Sequence, residues 1–351
     1  MKNNTHGLLN YLGKAKVTIQ ELLKRYPPEY TNDNKLEAYN NAVRFHGKKD
    51  GEITITRVNF DVSKKDLPLE KKNSIARIAT GFYKYQEDNS DETRTVWYVN
   101  FADPMLFGYY DGSAFAQDEI QTLEMPLLAS CMLFLDGEKI PGLESKTIEL
   151  KSTVYEAEPN YYIERKRRFP TPYLIENVPY WISVKTNPLL ADGTRENIYG
   201  RLMRDASKEA IRAGIKTFED DLKNNIIAIA APEGGRSLYT ENQIEYVLQG
   251  LITAFAAAVQ QTKVAGKLKT VIHSGNLGCG AFGGNKELMY LAQIYAASVT
   301  GVDELVMHIS ENEIFSVAEK KFSEMKSEWN FADSVKFLMG QNYRWNTGDG
   351  N

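Results

Sequence analysis

The chain has 351 residues, of which 42% are hydrophobic and 25% charged, a composition typical of a globular protein with one large domain or two smaller ones. Its net charge of -4 at pH 7 gives no overall electrostatic reason to bind nucleic acid or an anionic membrane. Its two cysteines and its short apolar runs argue against a disulfide framework, a cysteine zinc site and a membrane span. Because the first residues also lack an apolar leader, the sequence predicts a protein of the cytoplasm.

The first part of the chain is predicted to contain short helices followed by strands. An apolar face predicts a helix at 17–25, and alternation predicts a strand over Glu52–Phe60. Segments 79–86 and 93–101 are rich in aromatic and β-branched residues and are predicted to form a hairpin or two neighbouring strands. We expect residues 1–92 to form an accessory region whose helices and strands pack on the rest of the chain.

Strands and helices alternate regularly in the second half of the chain. Strands are predicted at 225–230, 270–273 and 304–309, and helices at 285–299 and from Thr240, where Gln243 completes a capping box. This alternation predicts an α/β fold with a mixed, mostly parallel sheet flanked by helices. The core domain is expected to span 93–345, with a Tyr- and Pro-rich insertion or loop region at about 150–205.

The segment SGNLGCGAFGG, residues 274–284, lies between a predicted strand and a predicted helix. Glycines let backbone N–H groups approach a ligand closely, and the positive end of the helix dipole favours phosphate. The segment also satisfies the G-x-G-x-x-G pattern of dinucleotide-binding folds, although a tight turn without any ligand remains an alternative.

An NAD-dependent oxidoreductase is a further alternative that the ribose anchor argues against. Asp303 has the spacing of the acidic residue that holds the ribose in such folds. Because it precedes the strand at 304–309, we expect it at the opposite edge of the sheet from the glycine segment.

A second polar segment, VNFADPMLFGYYDGSAFAQDEIQTLEMPLL, covers residues 99–128. A helix is predicted to begin near Phe115, which places Gln117, Asp118 and Glu119 in its first turn. Acidic residues at that position also stabilise the helix dipole, so this pattern alone does not establish a catalytic role.

Together the two segments resemble poly(ADP-ribose) glycohydrolases. SGNLGCGAFGG is similar to the TGNWGCGAFGG signature of that family, and VNFAD…QDE is similar to its VDFAN…GGG…QEE catalytic segment. The order along the chain is the same, and the resemblance covers roughly residues 95–325. It implies a macrodomain fold that binds ADP-ribose across the carboxyl ends of the strands, with no cofactor and no metal.

The resemblance also implies roles for individual residues. Glu119 matches the acid that acts on the glycosidic bond, Asp118 the residue that orients the ribose, and Asp103 a residue that holds the sugar. Asp111 is an additional nearby carboxylate. The expected ligand-binding residues are Gln117, Gly112, Asn276, Gly278, Cys279, Gly280, Ala281, Phe282 and Gly283, with Tyr161 or Tyr162 stacking on adenine.

The sequence departs from the family where its GGG aligns with Phe107, Gly108 and Tyr109. Two bulky residues in a segment that contacts diphosphate favour removal of a single ADP-ribose over cleavage of the polymer. A divergent branch, the MavL-type hydrolases of bacterial effectors that remove ADP-ribose from ubiquitin, is a similar group. It implies an ADP-ribosylated protein such as ubiquitin as the partner and secretion into a host cytosol. A reader that binds ADP-ribose without hydrolysing it is the alternative.

His273 and His308 are predicted to be strand residues of the sheet. A metal site is not predicted there, because no third ligand stands at a useful spacing. Cys279 is predicted to be a small packed residue, because no base is adjacent that would activate it as a nucleophile.

Overall fold

The computed structural model describes the chain apart from residues 1–6, 65, 67, 70, 74–75, 86–90, 144–151, 158–167, 219–221, 233 and 349–351. The strands are β1 (Leu9–Thr18), β2 (Glu52–Phe60), β3 (Ala76–Ala79), β4 (Arg94–Phe101), β5 (Tyr155–Ala157), β6 (Arg168–Pro170), β7 (Tyr173–Pro179), β8 (Ile182–Val184), β9 (Ile215–Thr217), β10 (Lys223–Ile229), β11 (Lys269–Gly275) and β12 (Glu304–His308). The helices are α1 (Ile19–Arg25), α2 (Asp33–His46), α3 (Gln117–Glu124), α4 (Leu127–Glu138), α5 (Lys208–Gly214), α6 (Glu241–Val264), α7 (Lys286–Thr300), α8 (Asn312–Glu324) and α9 (Phe331–Gly340), with 3₁₀ turns at Val62–Lys64 and Gly200–Asp205.

An eight-stranded sheet in the order β1-β2-β7-β10-β4-β11-β12-β3 forms the centre of the molecule. The five strands β10, β4, β11, β12 and β3 run parallel to one another, whereas the pairs β1–β2, β2–β7 and β7–β10 are antiparallel. Apolar side chains pack on both faces, with α6 and α7 on one and α2, α3 and α4 on the other. The predicted α/β class, a mostly parallel sheet flanked by helices, is confirmed.

Several predicted elements of the second half are confirmed at their positions. Strands β10, β11 and β12 and helix α7 lie where the alternation predicted them. At the start of α6 the Thr240 hydroxyl accepts a hydrogen bond from the Gln243 amide, and the Gln243 side chain accepts one from the Thr240 amide at 2.9 Å. Among the described helices, none is both long and apolar enough to cross a membrane.

The predicted helix at 17–25 is wrong at its start, because β1 continues to Thr18. Half of the residues of this edge strand are exposed and only one is buried, so its own sequence carries little strand pattern. Its regular pairing with β2 stabilises it instead.

The predicted hairpin of 79–86 and 93–101 is also wrong. β3 ends at Ala79 and pairs parallel with β12 at the far edge of the sheet, whereas β4 lies between β10 and β11. Strands that run parallel cannot be joined by a hairpin turn, since they need a longer crossover.

The described part of the stretch 150–205 includes regular strands, and its assignment as an insertion stays a prediction. It contains β7, which is buried over much of its length and pairs with both β2 and β10 inside the main sheet. Three strands of the predicted accessory region, β1, β2 and β3, belong to the same sheet. A domain boundary near residue 92 therefore stays a prediction.

Candidate active site

The two polar segments meet at the carboxyl edge of the parallel strands. β4 leads into the loop before α3, and β11 leads into the glycine segment before α7. These loops enclose one cavity of about 1130 Å³. Of the residues singled out from the sequence, its lining includes Asp103, Gln117, Asp118, Glu119, Asn276, Gly278, Cys279, Gly280, Ala281 and Phe282. Ligand sites commonly lie at this edge of an open α/β sheet.

Helix α3 is tied directly to the end of β4. The Gln117 side chain accepts from the Phe101 amide at 2.9 Å and donates to the Val99 carbonyl at 3.1 Å. It therefore fixes the first turn of α3 against the strand.

Asp118 is buried next to Glu119. Its Oδ1 accepts from Asn100 Nδ2 at 2.9 Å, and its Oδ2 accepts from the Asp103 amide at 3.4 Å. Burial, followed by the charge of Glu119, raises the pKa of Asp118 to about 8, although these hydrogen bonds act in the opposite direction. Burial at this site therefore favours the protonated form of the Asp118 carboxyl.

Glu119 caps the N-terminus of its own helix. Its Oε2 accepts from the Ala116 amide at 2.9 Å, which is the return bond of a capping box. The side chain is only 7% exposed and lines the cavity, and its Oε1 takes no part in that bond.

The loop before α3 separates the other expected residues. Asp103 lines the cavity, and its Oδ1 accepts from the Met105 amide at 2.9 Å. Asp111 and Gly112 do not line it. The Asp111 carbonyl instead accepts from the amides of Thr31 and Asn32, so this part of the loop faces the N-terminal region.

The bulky residues at the family's GGG position do not share one environment. Phe107 has a φ of 54° and a side chain that is 0% exposed, so it points into the core. Tyr109 is 56% exposed and lines the cavity. Only one of the two aromatic rings therefore lies at the cavity.

The glycine segment is held in shape by its own backbone. The amides of Cys279, Gly283 and Gly284 donate to the carbonyls of Asn276, Gly280 and Gly278, respectively. Gly278 has a φ of 67°, and a side chain there would collide with Ala231.

Gly283 has a φ of 66° and does not line the cavity. A side chain there would collide with the carbonyl of Asn346. The Asn276 side chain, which lines the cavity, accepts a hydrogen bond from Tyr290 at 2.5 Å. Tyr161 and Tyr162, expected to stack on adenine, lie outside the described residues.

The surroundings of Cys279 and Asp303 do not support a nucleophilic thiol or a ribose anchor. Burial raises the pKa of the Cys279 thiol to about 12, which does not favour a nucleophilic thiolate. Asp303 lies before β12 and accepts from the Thr270 amide at 2.8 Å. It is therefore at the amino end of the strand, away from the glycine segment.

His273 and His308 form a neutral pair across β11 and β12. His308 Nδ1 lies 3.0 Å from the Gly81 carbonyl and must donate to it, because a carbonyl only accepts. His308 Nε2 then accepts from His273 Nδ1 at 2.8 Å. Burial lowers the pKa of His273 to about 3, followed by the effect of His308. Within the described ranges, no group of three or more His, Cys, Asp or Glu side chains is arranged to hold a metal.

The sequence reasoning missed several residues of the site. Asn100, which bonds Asp118, is a polar residue within an otherwise apolar part of β4, and that contrast is a usable signal. Tyr199, Arg201 and Arg204 also line the cavity, from a 3₁₀ turn within the expected insertion. Nothing in their local pattern predicts this position, because the turn reaches the site only through tertiary packing.

The fold and the site define a class of protein, an α/β protein with a nucleotide-sized cavity between a carboxylate helix and a glycine loop. Residues 201–316, about a third of the chain, match the family model of poly (ADP-ribose) glycohydrolase (PARG), Macro domain fold. This part of the chain is therefore similar to the macro-fold catalytic domain of that family. The matched range includes the glycine segment but not α3.

Solved structures of poly(ADP-ribose) glycohydrolase from Deinococcus radiodurans align with this chain over most of its length. The complex with ADP-ribose is 13% identical, covers 92% of this chain and 98% of its own, and has a TM-score of 0.37. The apo form is 12% identical, covers 92% and 97%, and has a TM-score of 0.35. A comparison with curated proteins finds no match.

Proposed function

We propose that this protein removes single ADP-ribose units from modified proteins by hydrolysing the glycosidic bond, with Glu119 as the general acid. One observation carries the proposal: the first turn of α3 and the glycine segment line the same cavity. A diphosphate held by the backbone of the glycine segment would bring the attached ribose within the same enclosure as the carboxyl groups.

The proposed reaction needs one proton and one water molecule. As the bond between ribose C1″ and the leaving atom breaks, its electron pair stays on the leaving atom, which takes a proton from Glu119. Water then adds its oxygen to C1″ and returns a proton to the carboxylate. The raised pKa of Asp118 supports a carboxyl that can carry a proton beside Glu119 in the first turn of α3.

Removal of a single unit is favoured by the rim of the cavity. Tyr109 takes the place of a small residue and lines the cavity, which supports a steric limit on binding of a second unit of the polymer. The proposed partner is an ADP-ribosylated protein, and ubiquitin is one candidate if the chain acts as a bacterial effector in a host cytosol.

The test is a turnover assay with chemically defined substrates. Mono-ADP-ribosylated peptides linked through Arg, Ser or Glu, ADP-ribosylated ubiquitin and poly(ADP-ribose) are incubated with the wild type, and released ADP-ribose is measured. We expect release from at least one mono-ADP-ribosylated substrate and little from the polymer.

Glu119→Gln tests the role of the acid, because it keeps the size of the side chain and removes the transferable proton. We expect at least about a hundredfold loss of turnover with ADP-ribose binding retained in calorimetry. Full turnover by the variant would remove Glu119 from the mechanism. Binding without turnover by the wild type on every substrate would favour the reader, and a change in NADH fluorescence on mixing would favour the oxidoreductase.

A further inference from the structure

Lys35 is a buried cation in an unfavourable position. It lies in the first turn of α2 and is 0% exposed. Removing a charge from water is costly unless partners compensate, and the positive end of the helix dipole disfavours a cation there. The surroundings of Lys35 must therefore supply the compensation.

The ammonium of Lys35 bonds the loop that precedes the candidate acids. Its Nζ donates to the carbonyls of Tyr110 at 2.9 Å and Ala114 at 2.6 Å. Two residues of the same N-terminal segment, Thr31 and Asn32, donate their amides to the Asp111 carbonyl at 3.0 and 3.1 Å. The Thr31 hydroxyl also lies within hydrogen-bond distance of the Asp111 carbonyl and carboxylate, at 3.2 and 3.3 Å. Several hydrogen bonds thus connect residues 31–35 with the loop that ends at α3.

Two of the three carboxylates that act on Lys35 belong to the candidate site. Burial lowers the pKa of Lys35 to about 8, while Glu119, Asp111 and Asp118 act to raise it. Other titratable groups near this part of α2 include Tyr30, Tyr39 and Tyr110, whose rings contact one another. On another side of the helix, Lys208 bonds Asn34 and Glu37, and Arg212 also pairs with Glu37.

We propose that Lys35 is a positioning residue for the reaction. It holds the loop at 110–114, and thereby the start of α3, and its positive charge balances one negative charge on the Asp118 and Glu119 pair. The inference rests on the proposed function, because it assigns Lys35 a role in holding that pair in place for the reaction. It also gives the N-terminal region a part in the site.

The first test compares Lys35→Met with Lys208→Met. Methionine has a similar length and no charge, and Lys208 bonds the same helix without facing the acids. We expect Lys35→Met to lower kcat at least about tenfold while the Kd for ADP-ribose changes less than about threefold. We expect Lys208→Met to change neither.

The pH dependence of kcat distinguishes an electrostatic role of Lys35 from a purely structural one. A nearby cation lowers the pKa of a carboxyl, so its removal should move the alkaline limb of kcat to higher pH. A loss of kcat with an unmoved profile, or an equal loss in Lys208→Met, would overturn the proposal.

A second measurement needs neither a Lys35 variant nor turnover. The titration of Lys35 is followed by lysine side-chain NMR in the wild type and in Glu119→Gln, with the Lys208 signal as reference. We expect the pKa of Lys35 to fall in the variant, because a stabilising negative charge is lost, and an unchanged titration would contradict the proposal. If the wild type releases no ADP-ribose but this coupling is present, the proposed function fails and the electrostatic link stands.

Discussion

At the scale of single residues, the two adjacent carboxyl groups of α3 have different partners. Asp118 is bonded by Asn100 and by the Asp103 amide, whereas Glu119 is bonded by the Ala116 amide. Successive side chains on a helix point about 100° apart, so the two groups cannot oppose each other across a sugar. Their geometry suits one orienting group and one proton donor on the same side of a ligand.

Asp118 makes the stability of the protein depend on pH. Its pKa is raised to about 8 in the folded chain from an ordinary value of 3.8. Between these values the folded state holds a proton that the unfolded state releases, so this group's contribution to stability falls as the pH rises. We expect Asp118→Asn to lose less stability between pH 5 and pH 8 than the wild type in thermal denaturation. An equal loss in both proteins would show that Asp118 is ionised in the fold.

At the scale of elements, the glycines of the 274–284 segment serve two different requirements. Gly278 needs a left-handed backbone and has Ala231 against it, whereas Gly280 lines the cavity at a φ outside that region. The first requirement concerns the path of the loop, and the second concerns the space for a ligand.

These roles predict different outcomes for two substitutions. Gly278→Ala should lower both the melting temperature and the affinity for ADP-ribose, because strain and collision distort the loop. Gly280→Val should abolish ADP-ribose binding in calorimetry with little change in melting temperature. Gly340→Val is the control, since it lies at the end of α9 with nothing near an added side chain. Unchanged affinity in Gly280→Val would exclude the proposed diphosphate site.

Trp345 and Asn346 help to hold the 274–284 segment in place. The Asn346 amide donates to the Gly283 carbonyl at 2.8 Å, and the Asn346 side chain donates to the Gly284 carbonyl at 3.1 Å. The Trp345 ring stacks on Tyr239 at 4.1 Å between centroids, and the Tyr239 hydroxyl accepts from the Asn285 amide. The loop is thus held between α7 and residues distant in the sequence.

At the scale of the whole molecule, the N-terminal region is part of the sheet that positions the site. β2 lies between β1 and β7, and its Ile53, Ile55 and Val58 are buried in the two apolar layers. The same region supplies Lys35 to the loop before α3.

Removal of residues 1–92 should therefore disrupt the fold. We expect a chain of residues 93–351 to lose cooperative thermal unfolding by circular dichroism, because β7 loses its pairing with β2 and both apolar layers lose side chains. Unfolding of this shorter chain at the temperature of the whole protein would instead establish residues 1–92 as a separate accessory unit.

The local elements of the second half could be predicted from the sequence because their signals are local. Apolar periodicity, the capping box at Thr240 and the glycine segment depend on residues a few positions apart. The carboxylates of α3 were likewise predicted to lie in a first turn, and they do.

Tertiary structure alone decided the rest, since it depends on contacts between distant residues. β1 exists through its pairing with β2, and Phe107 avoids the ligand space through a left-handed backbone that places its ring in the core. Lys35 reaches the loop before α3 across 79 positions of sequence, counted to Ala114. A hydrogen bond between residues so far apart in the sequence leaves no local sequence pattern. Its two partners meet only because the whole chain packs in this way.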